Sequence, residues 1–271
     1  MALSLPQNPA LEAGYNLVVC ILASGSKGNA IYVSDSRTSI LVDAGLSGVA
    51  IERRFRQRGL RPENLDAIIV SHEHADHIQG VGVLSRRYNL PVYMNPKTTC
   101  AAESGLGDIK ELVNFECGAT FHINTLSIHP FSISHDATDP AGFTISQNGS
   151  KMAIATDLGI VTSMVKSHLK ECHLLIVEAN HDPQMLFDGP YPWPTKQRIS
   201  SRVGHLSNED SCHLLREVQH DKLQHVVLAH LSETNNTPQK AFAQACKAIN
   251  VNHVQLHVAR QNECGDLIYV R

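Results

Sequence analysis

Three histidines and one aspartate lie within six consecutive residues, directly after an apolar run: His72-Glu73-His74-Ala75-Asp76-His77. Imidazole nitrogens and carboxylate oxygens bind divalent transition metals. His72 and His74 are two residues apart, which places their side chains on one side of extended backbone, whereas Asp76 and His77 are adjacent and point differently. A chance cluster is the alternative in a chain with 16 histidines. The spacing predicts two neighbouring metal ions, because one ion cannot easily take all four groups.

Three more candidate ligands follow strand-like segments farther along the chain. His135, Asp157 and His230 each stand at the C-terminal end of a run of alternating or β-branched apolar residues. A single histidine in such a place is more often a hydrogen-bonded structural residue than a ligand. Three candidates in the same position relative to their strands favour a shared site, because strands hold side chains in accurate positions. A carboxylate such as that of Asp157 can also bridge two cations.

The rest of the chain supplies strands and helices that can position these groups. Strands are predicted over residues 18–23, 30–34, 39–43 and 67–70. Helices are predicted over residues 48–58, 82–88, 160–170, 208–220 and 238–249, each followed by an apolar strand. This alternation indicates a layered α/β domain, and the strand sets of the two halves can pair as two facing sheets. Residues 182–202 are predicted to form a long irregular loop, in which Tyr191 and Trp193 either stack on nucleobases or pack the loop onto the core.

Length and composition indicate one intracellular domain. A chain of 271 residues can form one substantial core, which we place at residues 17–271, preceded by a flexible tail over residues 1–16. The tail lacks the basic start and apolar segment of a signal peptide, and no stretch has the apolar length of a membrane helix. The seven cysteines are odd in number and scattered, which is typical of reduced thiols. We therefore expect a cytoplasmic protein without a membrane partner.

The net charge of −3 restricts how this chain could bind nucleic acid. Contacts of lysine and arginine with phosphate supply most non-specific affinity, so any DNA binding must be local. One basic group lies on the predicted helix 48–58 and is expected to form a solvated face: Arg53, Arg54, Arg56 and Arg58. A second group lies in the predicted loop near His205: Lys196, Arg198 and Arg202. We favour Lys196 and Arg198 as phosphate contacts, with ordinary loop surface as the alternative.

The order of these residues resembles the metallo-β-lactamase superfamily from about residue 17 to the C-terminus: Asp43 in Leu41-Val42-Asp43-Ala44-Gly45, then the cluster at 72–77, His135, Asp157 and His230. Further motifs are similar to those of the YycJ/WalJ group, described as metal-dependent hydrolases with 5′-to-3′ exonuclease activity on DNA: Leu22-Ala23-Ser24-Gly25-Ser26-Lys27-Gly28-Asn29, Ser134-His135-Asp136-Ala137, Glu178-Ala179-Asn180-His181-Asp182, Gly204-His205-Leu206-Ser207-Asn208 and Ala229-His230-Leu231-Ser232-Glu233-Thr234-Asn235-Asn236. The resemblance implies an αββα sandwich with metals at the open edge between the sheets. The segment between Asp157 and His230 is too short for the inserted domain of β-CASP nucleases such as RNase J.

The superfamily pattern also implies a division of the ligands between two ions. One ion would take His72, His74 and His135, and the other would take Asp76, His77 and His230, with Asp157 as the bridge. Asp43 would orient the histidine loop through hydrogen bonds. Ligands that offer only nitrogen and oxygen suit Zn²⁺, Mn²⁺ or iron, and the sequence does not choose between them. The nucleophile implied by the resemblance is a hydroxide shared by both metals.

A proton donor and a substrate loop are implied by likeness to the C-terminal motifs of RNase Z. By that match His205 gives a proton to the leaving group and Glu178 orients it, and both are expected to be catalytic together with Asp76. His181 is the next candidate for this role and is counted among the substrate-binding residues. The polar loop after His230 contains three groups that either bind phosphate or cap the turn: Ser232, Thr234 and Asn235.

Three classes of function are compatible with the six-residue motif. The favoured one is a cytosolic phosphodiesterase, a 5′-to-3′ exonuclease with DNA as its partner. Thiolester or lactone hydrolysis of the glyoxalase II type is the alternative, and it requires neither a proton donor at His205 nor a polar phosphate loop. A non-hydrolytic di-iron redox module is the third class, and the absence of a flavodoxin-like extension weakens it.

Overall fold

The computed structural model describes residues 14–271, so the predicted tail of residues 1–16 lies outside the described residues except for its last three. Two of these, Tyr15 and Asn16, contact the C-terminal strand. The Tyr15 ring packs against that of Tyr269 with centroids 4.8 Å apart, and the Asn16 N–H donates to the carbonyl of Val270 at 2.9 Å. The boundary at residue 17 stays a prediction.

Within residues 14–271, fourteen strands form two sheets of seven strands each. The first sheet contains, in spatial order, β14 (Ile268–Val270), β1 (Leu17–Ala23), β2 (Ala30–Ser34), β3 (Ser39–Val42), β4 (Ala67–Ile69), β5 (Pro91–Met94) and β6 (Glu111–Asn114). The second contains β13 (Gln255–Val258), β12 (His225–Ala229), β11 (Leu174–Glu178), β10 (Ser150–Ala155), β9 (Ala141–Gln147), β8 (Leu126–Ser132) and β7 (Phe121–Ile123). Each sheet is antiparallel on one side and parallel on the other.

The helices connect the strands and begin at residues suited to a helix start. They are α1 (Gly48–Gln57), α2 (Ala75–Ile78), α3 (Val81–Tyr88), α4 (Pro96–Leu106), α5 (Ser163–Leu169), α6 (Pro183–Asp188), α7 (Trp193–Ile199), α8 (Asn208–Val218) and α9 (Pro238–Ala245), with a 3₁₀ turn at Pro62–Asn64. Six of them begin at a side chain that accepts a backbone N–H of the first turn: Ser47, Asn95, Thr162, Asp182, Ser207 and Thr237. Such caps satisfy N–H groups that have no partner inside the helix.

Three apolar layers hold the sheets and helices together. The central layer lies between the sheets and includes Val33 of β2 and Phe143 of β9. A second layer packs α1, α3 and α4 on the outer face of the first sheet, and a third packs α5, α8 and α9 on the second. Strands covered on both faces are apolar, as β1 is throughout and β11 is up to its last residue, Glu178. The predicted αββα sandwich is therefore confirmed.

Two local predictions were wrong. The segment 182–202 is not an irregular loop, because it contains α6 and α7. Pro183 occupies the first turn of α6, where a proline ring fits, and Asp182 caps it. The arginines of α1 do not form one solvated face either. Arg54 is buried, and its guanidinium donates to the carbonyls of Leu22 and Gln261.

The parallel strands bring their carboxyl ends to one edge. In the second sheet, β10, β11 and β12 are paired in parallel, so the residues that follow them leave the sheet side by side. In the first sheet, β3 and β4 do the same, with Val42 opposite Ile69. The segments that carry most of the predicted ligands follow these strands, whereas His135 follows β8, which pairs antiparallel with β9. Among the described residues, no helix has the length and apolar character needed to cross a membrane.

Candidate active site

The first predicted ligand group is brought together at this edge. His72 and His74 come from the turn after β4, and His135 comes from the segment after β8. Nε2 of His135 lies 3.3 Å from Nδ1 of His74, and the ring centroids of His72 and His135 are 5.1 Å apart. One ligand atom of each residue lies within 4.8 Å of the other two. This spacing suits three nitrogen ligands around one cation.

The second predicted group forms beside the first. Asp76 and His77 lie on α2, and His230 follows β12. Oδ2 of Asp76 is 3.7 Å from Nε2 of His77 and 3.8 Å from Nε2 of His230. Here too the three ligand atoms lie within 4.8 Å of one another. Among the described residues, these are two of four overlapping groups of candidate ligands at this edge, and the division of the ligands between two ions stays a prediction.

Asp157 lies between the two groups. Its Oδ2 is 3.3 Å from Nε2 of His77, and its Oδ1 is 3.8 Å from Nε2 of His135. The side chain is buried, as expected for a carboxylate surrounded by imidazoles. Asp157 is thus within reach of both groups, and its role as a bridge stays a prediction.

Two buried carboxylates fix the orientation of the imidazoles. Asp43 Oδ2 lies 2.8 Å from Nδ1 of His77, and the Asp43 carboxylate also accepts the N–H and the hydroxyl of Ser71 at 2.8 Å each. Glu178 Oε1 lies 2.8 Å from Nδ1 of His230 and 2.8 Å from Nδ1 of His205. When Nδ1 donates to a carboxylate, the lone pair of Nε2 is free to bind a cation. Asp43 therefore acts on the histidine loop, as expected, and Glu178 acts on two histidines at once.

Three residues of the site have left-handed backbone although none is glycine. The φ angles are 59° at Asp43, 56° at Asp157 and 55° at His230. Each follows the end of a strand, β3, β10 or β12, and the left-handed conformation turns its side chain toward the site. L-residues other than Asn and Asp seldom adopt this conformation, because the Cβ atom approaches the backbone too closely.

Three buried polar atoms of these residues lack hydrogen-bond partners in the part of the chain that the structure describes, as expected for atoms that bind cations. Nε2 of His72, Nε2 of His230 and Oδ2 of Asp157 are buried and make no hydrogen bond with any described residue. A buried polar atom without a partner costs about 1–3 kcal/mol. Cations would satisfy all three atoms, and a donor set without cysteine suits Zn²⁺, Mn²⁺ or iron.

Electrostatics divides the histidines into two kinds. Burial lowers the pKa of His72 and of His135, so both imidazoles are neutral and ready to bind a cation. Burial alone would also lower the pKa of His77, but the carboxylates of Asp43 and Asp157 raise it well above its usual value. Burial would lower the pKa of His230 too, but the carboxylates of Asp157, Asp76 and Glu178 raise it to about 10. A cation must therefore compete with protons at His77 and His230.

A cavity of about 260 Å³ opens beside the two ligand groups. His205 lines it with 16% of its side chain exposed, and its Nδ1 is held by Glu178. Tyr191, Arg198 and Ser232 line other parts of its wall. The arrangement combines candidate metal ligands with an imidazole that Glu178 orients, and a nitrogen of His205 also lies within 4.8 Å of ligand atoms of Asp157, Glu178 and His230. Such a set can hydrolyse an ester of phosphoric or carboxylic acid.

Comparison with known proteins identifies the family to which this chain belongs. The family model described as the beta-lactamase superfamily domain matches residues 38–231. The chain belongs to the β-lactamase superfamily. This superfamily member is 43% identical over 223 residues to exodeoxyribonuclease YycJ of Bacillus anthracis, which covers 82% of this chain and 84% of the relative. It is 40% identical over 225 residues to exodeoxyribonuclease WalJ of Streptococcus pneumoniae, with the same coverage of 82% and 84%.

The solved structure of the metallo-β-lactamase fold protein YhfI from Bacillus subtilis is similar in fold alone. It aligns with a TM-score of 0.71 at 15% identity and covers 93% of this chain and 99% of YhfI. The resemblance to the metallo-β-lactamase superfamily and its YycJ/WalJ group is thus confirmed. The prediction that this chain is an enzyme is confirmed as well, because its family and its named relatives identify it as a metal-dependent hydrolase.

The predicted substrate-binding residues do not all face the cavity. Arg198 does, and its Nε lies 2.5 Å from Oδ2 of Asp136, but Lys196 donates to the carbonyl of Phe187 instead. Of the polar loop, Ser232 lines the cavity and Thr234 accepts a hydrogen bond from the Tyr191 hydroxyl at 3.2 Å.

Two predicted residues are buried outside the cavity wall. Asn235 is 0% exposed, and neither its amide nitrogen nor its amide oxygen has a hydrogen-bond partner among the described residues. His181 is buried as well, and its Nδ1 has no partner within residues 14–271. Neither residue reaches the cavity that His205 lines. Their roles in binding substrate stay predictions.

Sequence reasoning missed three residues that hold the site together. Asn29 Nδ2 lies 3.3 Å from Oδ2 of Asp76 and 3.0 Å from Nε2 of His77. Asp136 Oδ1 lies 3.3 Å from Nε2 of His135, and the Asn180 amide donates to the carbonyl of His230 at 2.9 Å. All three stand inside the motifs quoted for the YycJ/WalJ group. That position was the available signal, because their contacts join segments far apart in the chain.

Proposed function

We propose that this superfamily member is a 5′-to-3′ exodeoxyribonuclease that uses two divalent metal ions. The curated relatives named exodeoxyribonuclease support this proposal, because they match most of the chain. The observation that carries it is the placement of His205. This imidazole shares a cavity with both ligand groups and is oriented by Glu178. We assign the six other side chains as terminal ligands and His205 as the proton donor, although His205 also lies close enough to Asp157, Glu178 and His230 to form a further group of candidate ligands.

The ligand residues would hold the ions in the two groups described above. His72, His74 and His135 bind the first ion, and Asp76, His77 and His230 bind the second, with Asp157 between them. When bound, two such cations supply a nucleophile from water at neutral pH and offset the negative charge that develops at phosphorus.

His205 gives a proton to the 3′ oxygen that leaves the scissile phosphate. Its Nδ1 is held by Glu178, so Nε2 is the nitrogen that can reach the leaving oxygen. Burial alone would raise the pKa of Glu178, but the imidazoles of His205 and His230 lower it to about 2. The glutamate is therefore a carboxylate at neutral pH and holds the His205 ring through its Nδ1.

Arg198 and Tyr191 would contact the terminal nucleotide that is released. Arg198 is exposed on α7 and is paired with Asp136, whose carboxylate also lies near His135. A terminal phosphate can replace that carboxylate, because guanidinium binds phosphate through paired N–H groups. Local contacts of this kind are compatible with the overall charge of −3.

The deciding experiment compares substrates in the presence of added Mn²⁺ or Zn²⁺. We expect a 5′-phosphorylated DNA duplex to release 5′-mononucleotides stepwise from its 5′ end, and a strand whose 5′ end is blocked to resist. A thiolester and a lactone serve as competing substrates. Faster turnover of either one than of DNA would reject the proposal and favour the glyoxalase II type of hydrolysis. Oxidation or reduction of bound iron without any hydrolysis would instead favour the redox module.

A further inference from the structure

A second opening adjoins the active-site cavity and has no role so far. We name it the α4 groove, because it lies between α2 and α4, and its volume is about 560 Å³. Ser26 and Asp76 line both the groove and the active-site cavity. The two spaces therefore adjoin at a candidate metal ligand. A substrate that is longer than one nucleotide and has its scissile phosphate at the metals must leave the cavity somewhere, and this groove offers a way out.

The lining of the α4 groove suits a nucleoside. Small side chains of α4 and α2 form much of its surface, among them Ala101, Ser104 and Ala75. Its volume falls within the range of about 300–1,000 Å³ that small-molecule sites occupy. None of its lining residues is aromatic, so a base would be held by contact with small side chains and not by stacking. Such contact does not distinguish one base from another.

One positively charged side chain lines the α4 groove. Lys27 lines it, and its Nζ lies 2.5 Å from Oε2 of Glu233. The Lys27 side chain is 67% exposed, so its ammonium can move from Glu233 to a backbone phosphate at little cost. The groove thus offers small side chains for a nucleoside and one mobile positive charge for the next phosphate, beside the carboxylates of Glu73 and Asp76 that line it as well.

The position of the proton donor assigns the two openings to the two sides of the scissile phosphate. His205 and Arg198 line the active-site cavity and do not line the α4 groove. The leaving 3′ oxygen must approach His205, so the released nucleotide lies in the cavity. The other substituent of the phosphate is the 5′ carbon of the retained strand. We propose that the α4 groove binds the first nucleoside of this retained strand, an inference that rests on the proposed exonuclease function.

Two substrates isolate this contact. The first is the 5′-phosphorylated dinucleotide of thymidine, and the second is its analogue with a methyl group in place of the second nucleoside. Hydrolysis of either one breaks the bond between phosphorus and the 3′ oxygen, so the leaving group is the same. We expect the wild-type enzyme to prefer the dinucleotide by about tenfold in kcat/KM, because only the dinucleotide reaches the groove.

Tryptophan substitutions in the α4 groove test the assignment. Ser104→Trp and Ala101→Trp place a large ring on one face of α4, since residues three apart on a helix are neighbours. Both positions are exposed, so the fold should tolerate the change. Each variant should lose the preference for the dinucleotide and keep wild-type turnover of the methyl analogue. Glu103→Trp is the matched control, because Glu103 is exposed on the same helix but does not line the groove.

The outcomes separate the groove from the proposed function. If wild-type enzyme cuts the dinucleotide and the two groove variants keep its preference, the groove assignment is wrong and the exonuclease proposal stands. Equal losses on both substrates would also reject the assignment, because the substitution would then act on the metal site. If wild-type enzyme cuts neither substrate, both proposals fail. Slower thiolester hydrolysis by Ser104→Trp in that case would identify an acyl chain as the occupant.

Discussion

Replacing His205 by alanine should slow hydrolysis only where the leaving group needs a proton. Removing a general acid costs about 10²–10⁴-fold in rate. The His205 side chain is 16% exposed, so water can enter the space that alanine leaves and supply part of the proton transfer. We therefore expect the lower part of that range, about 10²–10³-fold in kcat on a deoxynucleotide diester, which corresponds to about 3–4 kcal/mol in activation free energy.

The assay compares an oligonucleotide with bis(p-nitrophenyl) phosphate at equal metal content. Nitrophenolate leaves without a proton, so His205→Ala should lose less than about threefold on that ester. Metal content by elemental analysis should equal that of wild type, because His205 is not among the ligands assigned to either ion. His213→Ala is the control, since His213 is exposed on α8 and lies outside the cavity. Equal losses on both substrates would refute the reasoning and direct the search for a donor to His181.

Glu178→Gln should behave differently from His205→Ala. Glu178 Oε1 lies 2.8 Å from Nδ1 of both His205 and His230, so the substitution disturbs a proton donor and a ligand together. We expect loss on both substrates and weaker retention of metal, by about 10–100-fold in affinity. A variant that keeps wild-type metal affinity and slows only the oligonucleotide would show that Glu178 acts on His205 alone.

Three further predictions concern the metals and the charge around them. Asp157→Ala should abolish activity and weaken retention of both ions, and elemental analysis that finds both ions at wild-type level would exclude Asp157 as the bridge. Binding of Zn²⁺ at pH 7 should release about two protons per chain, because the pKa values of His77 and His230 are raised. The affinity for Zn²⁺ should therefore increase with pH. Titration calorimetry in buffers of different ionisation enthalpy measures the number of protons released, and no release would contradict the prediction. Arg198→Ala should reduce the salt dependence of DNA binding by about one unit of slope, whereas Lys196→Ala should change it less, and an equal effect of both would contradict the placement of Lys196.

The ligands were predictable from sequence because their signals are local. His72 to His77 stand together, and His135, Asp157 and His230 each end a segment whose alternation marks a strand. Parallel pairing through β11 brings the ends of β10 and β12 together, whereas β8, which precedes His135, pairs antiparallel with β9. The layered fold followed from the same alternation of strands and helices.

Contacts between distant segments were not predictable in the same way. That Glu178 holds His230 as well as His205 depends on the pairing of β11 with β12, which no local pattern specifies. The burial of Arg54 depends on carbonyls of Leu22 and Gln261, which lie far from it in the chain. The helices within 182–202 are a different case, because Asp182 followed by proline was a recognisable helix start that we did not use.

The left-handed residues of the site have a consequence for laboratory evolution. Such a conformation costs up to about 1–2 kcal/mol, and less for aspartate than for most residues, so Asp43, Asp157 and His230 together offset part of the 5–15 kcal/mol that typically separates a folded domain from its unfolded chain. Glycine at any of these positions would relieve the backbone and remove a side chain that the centre needs. A library selected for heat resistance alone would therefore drift toward glycine or asparagine at these three positions and would accumulate stable, inactive proteins. Selection on this scaffold has to score metal retention together with melting temperature.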